Sequence, residues 1–250
     1  MEEASLNAWP ALHQVMLDGW VLRFSRGFTK RANSVTPLYA AAQRPLEKVR
    51  YCEELYAQDG LATVFRLATV SEQVALDELL AARGYESIDA TQVLHRPLAT
   101  GEFDPVAAFS VVPVASFLAA YANLHEPPDI NERAARTASD LHRAILRAIR
   151  SETMFGLIVE DGEAVACGMA VVERELVGLF DIVVHPRCRR RGHGRALVES
   201  LLHRAVERGA RTAYLQVLSD NAAARSLYTA LGFQPLYEYR YRVSKTRMRS

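Results

Sequence analysis

The sequence predicts an α/β protein, and three observations carry that reading. Apolar β-type runs alternate with segments of helical spacing, as where Leu176–Val184 gives way to Arg195–Arg208. Between those two stands a glycine-bearing loop, Arg189-Arg190-Arg191-Gly192-His193-Gly194. Finally, Leu67–Tyr85 lies over Leu215–Phe233 without a gap: Leu, Ser, Ala, Leu, Ala and Gly coincide, and both stretches read strand, helix, glycine-aromatic, strand.

Each element follows from local pattern. Trp20–Ser25 and Ser34–Tyr39 read as a pair of strands, and Pro45 to Gln58 as a helix. Ala99-Thr100-Gly101-Glu102-Phe103-Asp104-Pro105 breaks the pattern as linkers do, which divides the chain into residues 1–100 and 108–250. Phe109–Val114 reads as a strand, Ala115–Leu124 as a helix stopped by Pro127-Pro128, and residues from about Asn131 to Ile149 as a second helix. Met154–Val159 and Ala164–Val172 form a hairpin about Asp161-Gly162. After Leu176–Val184, the helix to Arg208 carries Leu197, Val198, Leu201, Leu202, Ala205 and Val206 on one face, and Gly209 ends it. Ala213–Leu218 is β-type; the last helix starts after Ser219-Asp220, either of which can cap it, and ends at Gly232.

The glycine loop has the makings of a phosphate cradle. Unpaired N–H groups at a helix N-terminus point at an anion, and the dipole adds about half a positive charge. Gly192 and Gly194 let the backbone approach closely, and five arginines lie within residues 187–195. A Walker loop requires GxxxxGK[ST], and a dinucleotide fingerprint a third glycine with an acid about twenty positions on; neither is present.

Arg189-x-x-Gly192-x-Gly194, preceded by Val184-x-Pro186 and followed by Asn221-x-x-Ala224-x-x-Leu227-Tyr228 and Leu231-Gly232-Phe233, resembles the GCN5-related N-acetyltransferase (GNAT) superfamily over residues 176–243. The resemblance implies a mixed, mostly antiparallel twisted sheet flanked by helices in residues 108–250. A smaller, degenerate GNAT-like domain would precede it in residues 1–100. No glycine occurs between Gly27 and Gly60, and Leu80 stands where the tyrosine would be, so that first copy lacks the phosphate loop. The polar stretch from Gly19 to Ser34 is a candidate for contacting the acceptor, through a carboxylate for instance.

The resemblance further implies acetyl-CoA as co-substrate and direct attack on it by a primary amine of a small molecule or peptide. A backbone N–H near Val183 or Val184 would polarise the thioester carbonyl. Tyr228 is the family's general acid, and Asp181, an acid inside an apolar strand, is the first candidate for a water-mediated base; Glu173 and Glu175 are alternatives. Arg189 and Arg191 serve the phosphates with Gly192, Gly194 and Arg195, His193 contributes its backbone N–H, and Asn221 contacts the pantetheine or pyrophosphate. His185 reads as structural. The acceptor pocket draws on the loop around Glu126–Asn131.

Composition narrows the partners. Net charge is +1, which argues against nucleic acid, as does the lack of aromatics interleaved with the arginines. Cys52, Cys167 and Cys188 show no metal spacing and read as free thiols, and no metal is expected. The start is acidic with no apolar signal region, and no apolar stretch is long enough to span a bilayer, so the expectation is a cytoplasmic protein without membrane contact. A homodimer is compatible with the chain. The alternative to an enzyme is a non-catalytic acyl-CoA sensor, against which the retention of both Tyr228 and Asp181 speaks.

Overall fold

The computed structural model describes residues 1–69, 73–124 and 131–245. Its elements, in chain order, are α1 (Glu2–Ala8), β1 (His13–Leu17), β2 (Trp20–Phe24), β3 (Val35–Pro37), α2 (Pro45–Gln58), β4 (Val64–Ala68), α3 (Val74–Ala82) and β5 (Glu86–Pro97). There follow β6 (Phe109–Val112), α4 (Val114–Leu124), α5 (Glu132–Ala148), β7 (Glu152–Glu160), β8 (Glu163–Glu173), β9 (Leu176–Val184), α6 (His193–Glu207), β10 (Thr212–Leu218), α7 (Ala222–Ala230) and β11 (Gln234–Val243). The fold is mixed α/β, with helices on sheets, as the sequence predicts. The Pro127-Pro128 break lies outside the described residues.

Two compact units share the chain, and they are interleaved along it. Unit 1 comprises Met1–Ala8, Leu94–Val217 and Asn221–Pro235; unit 2 comprises Trp9–Val93, Leu218–Asp220 and the residues from Leu236 onward. Unit 1 therefore includes the N-terminal helix, and unit 2 most of the last strand, which pairs antiparallel with β4 from Tyr239↔Ala68 to Val243↔Val64.

In unit 1 the strands run β10-β9-β8-β7-β6, with the end of β5 beyond β10. All pairs from β6 to β9 are antiparallel, whereas β9 and β10 are parallel. Helices cover both faces. Phe155 of β7 meets Phe117 of α4 at 5.0 Å, while its neighbour Gly156 faces Leu201 of α6; successive strand residues point to opposite faces. The apolar stripe of α6 is fully covered, with Leu197, Val198, Leu201, Leu202 and Ala205 all at 0% exposure. Each of the larger ones contributes about 1.5–3 kcal/mol by burial.

Unit 2 packs α2 and α3 on one sheet face through Leu22, Phe24, Val35, Val49, Tyr56, Phe65 and Leu80. Its elements repeat those of unit 1 in order and spacing. Pro45 and Val74 open α2 and α3; His193 and Ala222 open α6 and α7, 148 positions later in both cases. The helix ends match bond for bond: Tyr85 N donates to Leu80 O and Phe233 N to Tyr228 O, both at 3.0 Å, after left-handed Gly84 and Gly232.

Three local readings differ from the sequence. The last helix is capped by Asn221, whose side chain accepts from Ala224 N at 3.1 Å, rather than by Ser219 or Asp220. Helix α1 and strand β1 are additional: α1 is only seven residues long, and four of the five residues of β1 are exposed, so neither has a readable apolar period.

Candidate active site

The site is built where β9 leaves its neighbours. β9 and β10 pair only from Leu176↔Thr212 to Leu179↔Leu215. Beyond that point β9 carries a bulge: Cys167 faces Val183 and Met169 faces Phe180, so Gly168 alone stands opposite Asp181 and Ile182. Asp181 takes φ 50°, a left-handed conformation that costs an L-residue about 1–2 kcal/mol and that Asp tolerates better than most. Glycine gives the room across from it: a Cβ at 168 would lie 2.4 Å from Ile182 Cδ1, which would have to shift. Bulges re-aim side chains and end strand pairing, and this one does both.

Strand parity then assigns the backbone groups. His185 N donates to Val165 O at 2.9 Å. Bonded and non-bonded pairs alternate in an antiparallel ladder, so Val183 bonds toward β8 and the N–H of Val184 points away from it. There β10 no longer pairs. Val184, rather than Val183, is thus the residue whose N–H faces the open strand edge.

The loop that follows contains a 3-10 turn, Pro186–Cys188, with His185 Nδ1 accepting from Arg187 N at 3.3 Å. Gly192 is left-handed, φ 87°, and precedes α6 with nothing within 4 Å of the place a Cβ would take. The first helical bond runs from Ala196 N to Gly192 O, so the N–H groups of His193, Gly194 and Arg195 have no helical acceptor. A Cβ on Gly194 would sit 3.3 Å from Leu227 and 3.4 Å from Val184, so the end of β9, the start of α6 and the middle of α7 converge here.

The charged side chains divide. Arg189 is exposed and its Nε reaches Val184 O at 3.4 Å; Arg191 is exposed. Arg195 is held away from the loop by Glu199 at 3.0 Å and by the Ala230 carbonyl at 3.3 Å, which leaves its backbone N–H as its contribution. His193 is buried, and its Nε2 lies 3.6 Å from Glu160, too far for a hydrogen bond. Asn221 is committed through Oδ1 to its cap.

Tyr228 sits on α7 in the main core cluster, 7% exposed, its ring edge-on to Phe233 at 5.8 Å. Its hydroxyl makes no hydrogen bond among the described residues, and burial pushes the phenol up to about 12. Asp181 Oδ2 is 2.8 Å from His142 Nε2, a partner on α5 that no local pattern announces. Glu173 is engaged by Asn7 of α1 at 3.1 Å. Burial raises the Cys167 thiol to about 12, so it is no thiolate nucleophile. Among the described residues no group of three His, Cys, Asp or Glu could hold a metal, and no helix is long and apolar enough to cross a membrane. The loop around Glu126–Asn131 falls, except for Asn131, outside the described residues.

An open strand edge at Val184 thus leads into an unpaired helix N-terminus behind a left-handed glycine. Residues 1–242 match the family described as "Probable histone acetyltransferase Rv0428c C-terminal". The chain is 27% identical over 254 residues to the "Uncharacterized N-acetyltransferase YobR" of Bacillus subtilis, covering 98% of both. It is 30% identical over 246 residues to "Probable histone acetyltransferase Rv0428c" of Mycobacterium tuberculosis, covering 96% of this chain and 72% of that protein. Among solved structures, a GCN5-related N-acetyltransferase from Kribbella flavida shares the fold with a TM-score of 0.67 at 18% identity, covering 98% and 94%. A tandem GNAT protein from the clavulanic acid biosynthesis pathway does so with a TM-score of 0.63 at 15% identity, covering 84% and 74%. The chain belongs to the Rv0428c C-terminal family and is an acetyltransferase of the GNAT type.

Proposed function

We propose that unit 1 binds acetyl-CoA with its pyrophosphate on the N–H groups of Gly192, His193, Gly194 and Arg195, and passes the acetyl group directly to a primary amine. The observation that carries this reading is the opening of β9 from β10 beyond Leu179, which ends at the unpaired N-terminus of α6. The pantetheine arm lies along the freed edge of β9, and the Val184 N–H receives the thioester carbonyl. Arg189 and Arg191 add countercharge.

The acceptor ammonium loses a proton to Asp181, the amine attacks the carbonyl, the C–S bond breaks with its electron pair going to sulfur beside Tyr228, and the second proton of the attacking nitrogen passes to the departing thiolate. A lysine-type ammonium near 10.4 costs about 4–5 kcal/mol to deprotonate at neutral pH. Positioning is the larger contribution, with effective molarities on the order of 10⁵ M or more. The elevated Cys167 thiol supports direct transfer rather than an acyl-cysteine intermediate.

Unit 2 is, in this reading, a degenerate copy with no acetyl-CoA site. Arg44 precedes α2 in extended conformation where Gly192 precedes α6 left-handed. Leu80 occupies the place of Tyr228. The backbone N–H groups ahead of α2 already hold an anion: Asp18 accepts from Ala42 N at 3.0 Å and Gln43 N at 2.8 Å. Those bonds keep its carboxyl below the ordinary range.

The test is release of CoA thiol from acetyl-CoA across a panel of primary amines: lysine-bearing peptides, peptides with free N-termini, amino acids, polyamines and aminoglycosides. Amine-dependent release supports the reading. Tight binding of acetyl-CoA with no release from any amine would replace it with the sensor.

A further inference from the structure

Asp181 is held at both ends. Its backbone is fixed in the left-handed bulge opposite Gly168. Its carboxylate is fixed by His142, whose Nε2 lies 2.8 Å from Oδ2, the two side chains being 7% and 11% exposed. A carboxylate only accepts, so this contact assigns the imidazole proton to Nε2. Tyr121 of α4 stands edge-on to the imidazole at 4.9 Å and 68°, fixing the ring plane. The other carboxylate oxygen, Oδ1, makes no hydrogen bond among the described residues. Strain and a buried partner that converge on one side chain are what an aimed proton acceptor requires.

We propose that His142 is a positioning residue for acetyl transfer: its Nε2–H anchors Oδ2 so that Oδ1 receives the proton that the acceptor ammonium must lose. The inference rests on Asp181 as base in the function proposed above. In the step, the ammonium N–H bond breaks, the electron pair stays on nitrogen, and an Oδ1–H bond forms; solvent takes the proton once product has left. Cys167 from β8 lies beside Asp181, and Tyr121 from α4 beside His142.

The experiment compares His142→Leu, His142→Gln, Asp181→Asn and the Asp181→Asn/His142→Leu double variant. The assay uses acetyl-CoA and the amine with the fastest turnover in the panel. A misplaced base costs on the order of 10²-fold, so kcat falls about that much in His142→Leu with acetyl-CoA affinity unchanged. Glutamine, whose side-chain N–H reaches the same point, restores most of the loss, and leucine adds no further loss on top of Asp181→Asn. A side chain of packing value alone would lower thermal stability in both backgrounds and would not be rescued by glutamine. Nitrogen NMR of labelled histidines reads the tautomer with no acceptor present. The wild type shows His142 protonated on Nε2, and Asp181→Asn loses that bias. Wild-type turnover in His142→Leu, beside an inactive Asp181→Asn, would overturn the positioning role and leave the function standing. So would a His142 protonated on Nδ1 alone in the wild type. Full turnover in Asp181→Asn, or no turnover of any amine by the wild type, would overturn the function reading and this inference with it.

Discussion

Tyr228→Phe separates catalysis from stability more cleanly than any other change. The phenol ring is buried against Phe233, and phenylalanine keeps that packing. The hydroxyl alone is lost, and it makes no hydrogen bond among the described residues. Losing a hydroxyl on which no partner depends leaves stability within about 0.5 kcal/mol, and Tm within about 1–2 °C, of the wild type. Turnover falls. General acids contribute about 10²–10⁴-fold, and the pKa decides where in that range Tyr228 falls. Burial raises the phenol to about 12. Full transfer to a free thiolate, whose own value is near 8.5, is then uphill by about 5 kcal/mol. The phenol therefore acts as a hydrogen bond to charge arriving on sulfur, and the expected loss is at the lower end, about 10²-fold in kcat. Since Tyr228 stays protonated over the working range, it produces no basic limb in kcat/KM at neutral or mildly alkaline pH. Steady-state kinetics and thermal unfolding on the same preparations read both effects. Wild-type kcat in Tyr228→Phe, or a large fall in Tm, would refute the reasoning.

Other changes probe the loop, the bulge and unit 2. Gly192→Ala meets no atom within 4 Å but must keep φ 87°, so it loses about 1–2 kcal/mol of stability and weakens acetyl-CoA binding, read by unfolding and calorimetry. Gly194→Val, where even a Cβ stands 3.3–3.4 Å from Leu227 and Val184, abolishes binding while the chain still folds. Gly168→Ala drives a methyl against Ile182 and Leu197, overpacking that costs about 1–3 kcal/mol and displaces Asp181; turnover falls further than Tm alone explains. In unit 2, hydrogen bonds from Arg242 and then Arg240 hold the Asp77 carboxyl below its ordinary value of 3.8. That stabilisation is complete above the ordinary value and fades as pH falls through the lower, folded one. The Tm gap between wild type and Asp77→Asn should accordingly narrow as pH drops below about 4.

What could be read from the sequence is what is local. The apolar stripe of α6, the hairpin of β7 and β8, and the strand–loop–helix step at Gly192 each lie within one window of the chain, and each stands in the structure within a few residues of its expected bounds. The gapless likeness of Leu67–Tyr85 to Leu215–Phe233 points to repeated elements, and α2, α3, α6 and α7 carry that spacing across both units. Non-local pairing was not legible. Nothing in the pattern of α5 marks His142 as the partner of Asp181, 39 positions on, because a buried histidine on a helix face looks like any other. The bulge was equally hidden, since Asp181 reads as an acid in a strand until Gly168 is seen to face two residues. The interleaving of the units escaped for the same reason: β11 pairs with β4, far away in the chain.

Calorimetric titration of acetyl-CoA into the full chain tests the central claim most directly. One site per chain is predicted, lost in Gly194→Val and retained in Tyr228→Phe and Asp181→Asn. No binding, or binding that survives Gly194→Val, would contradict the assignment of the cofactor to the N-terminus of α6.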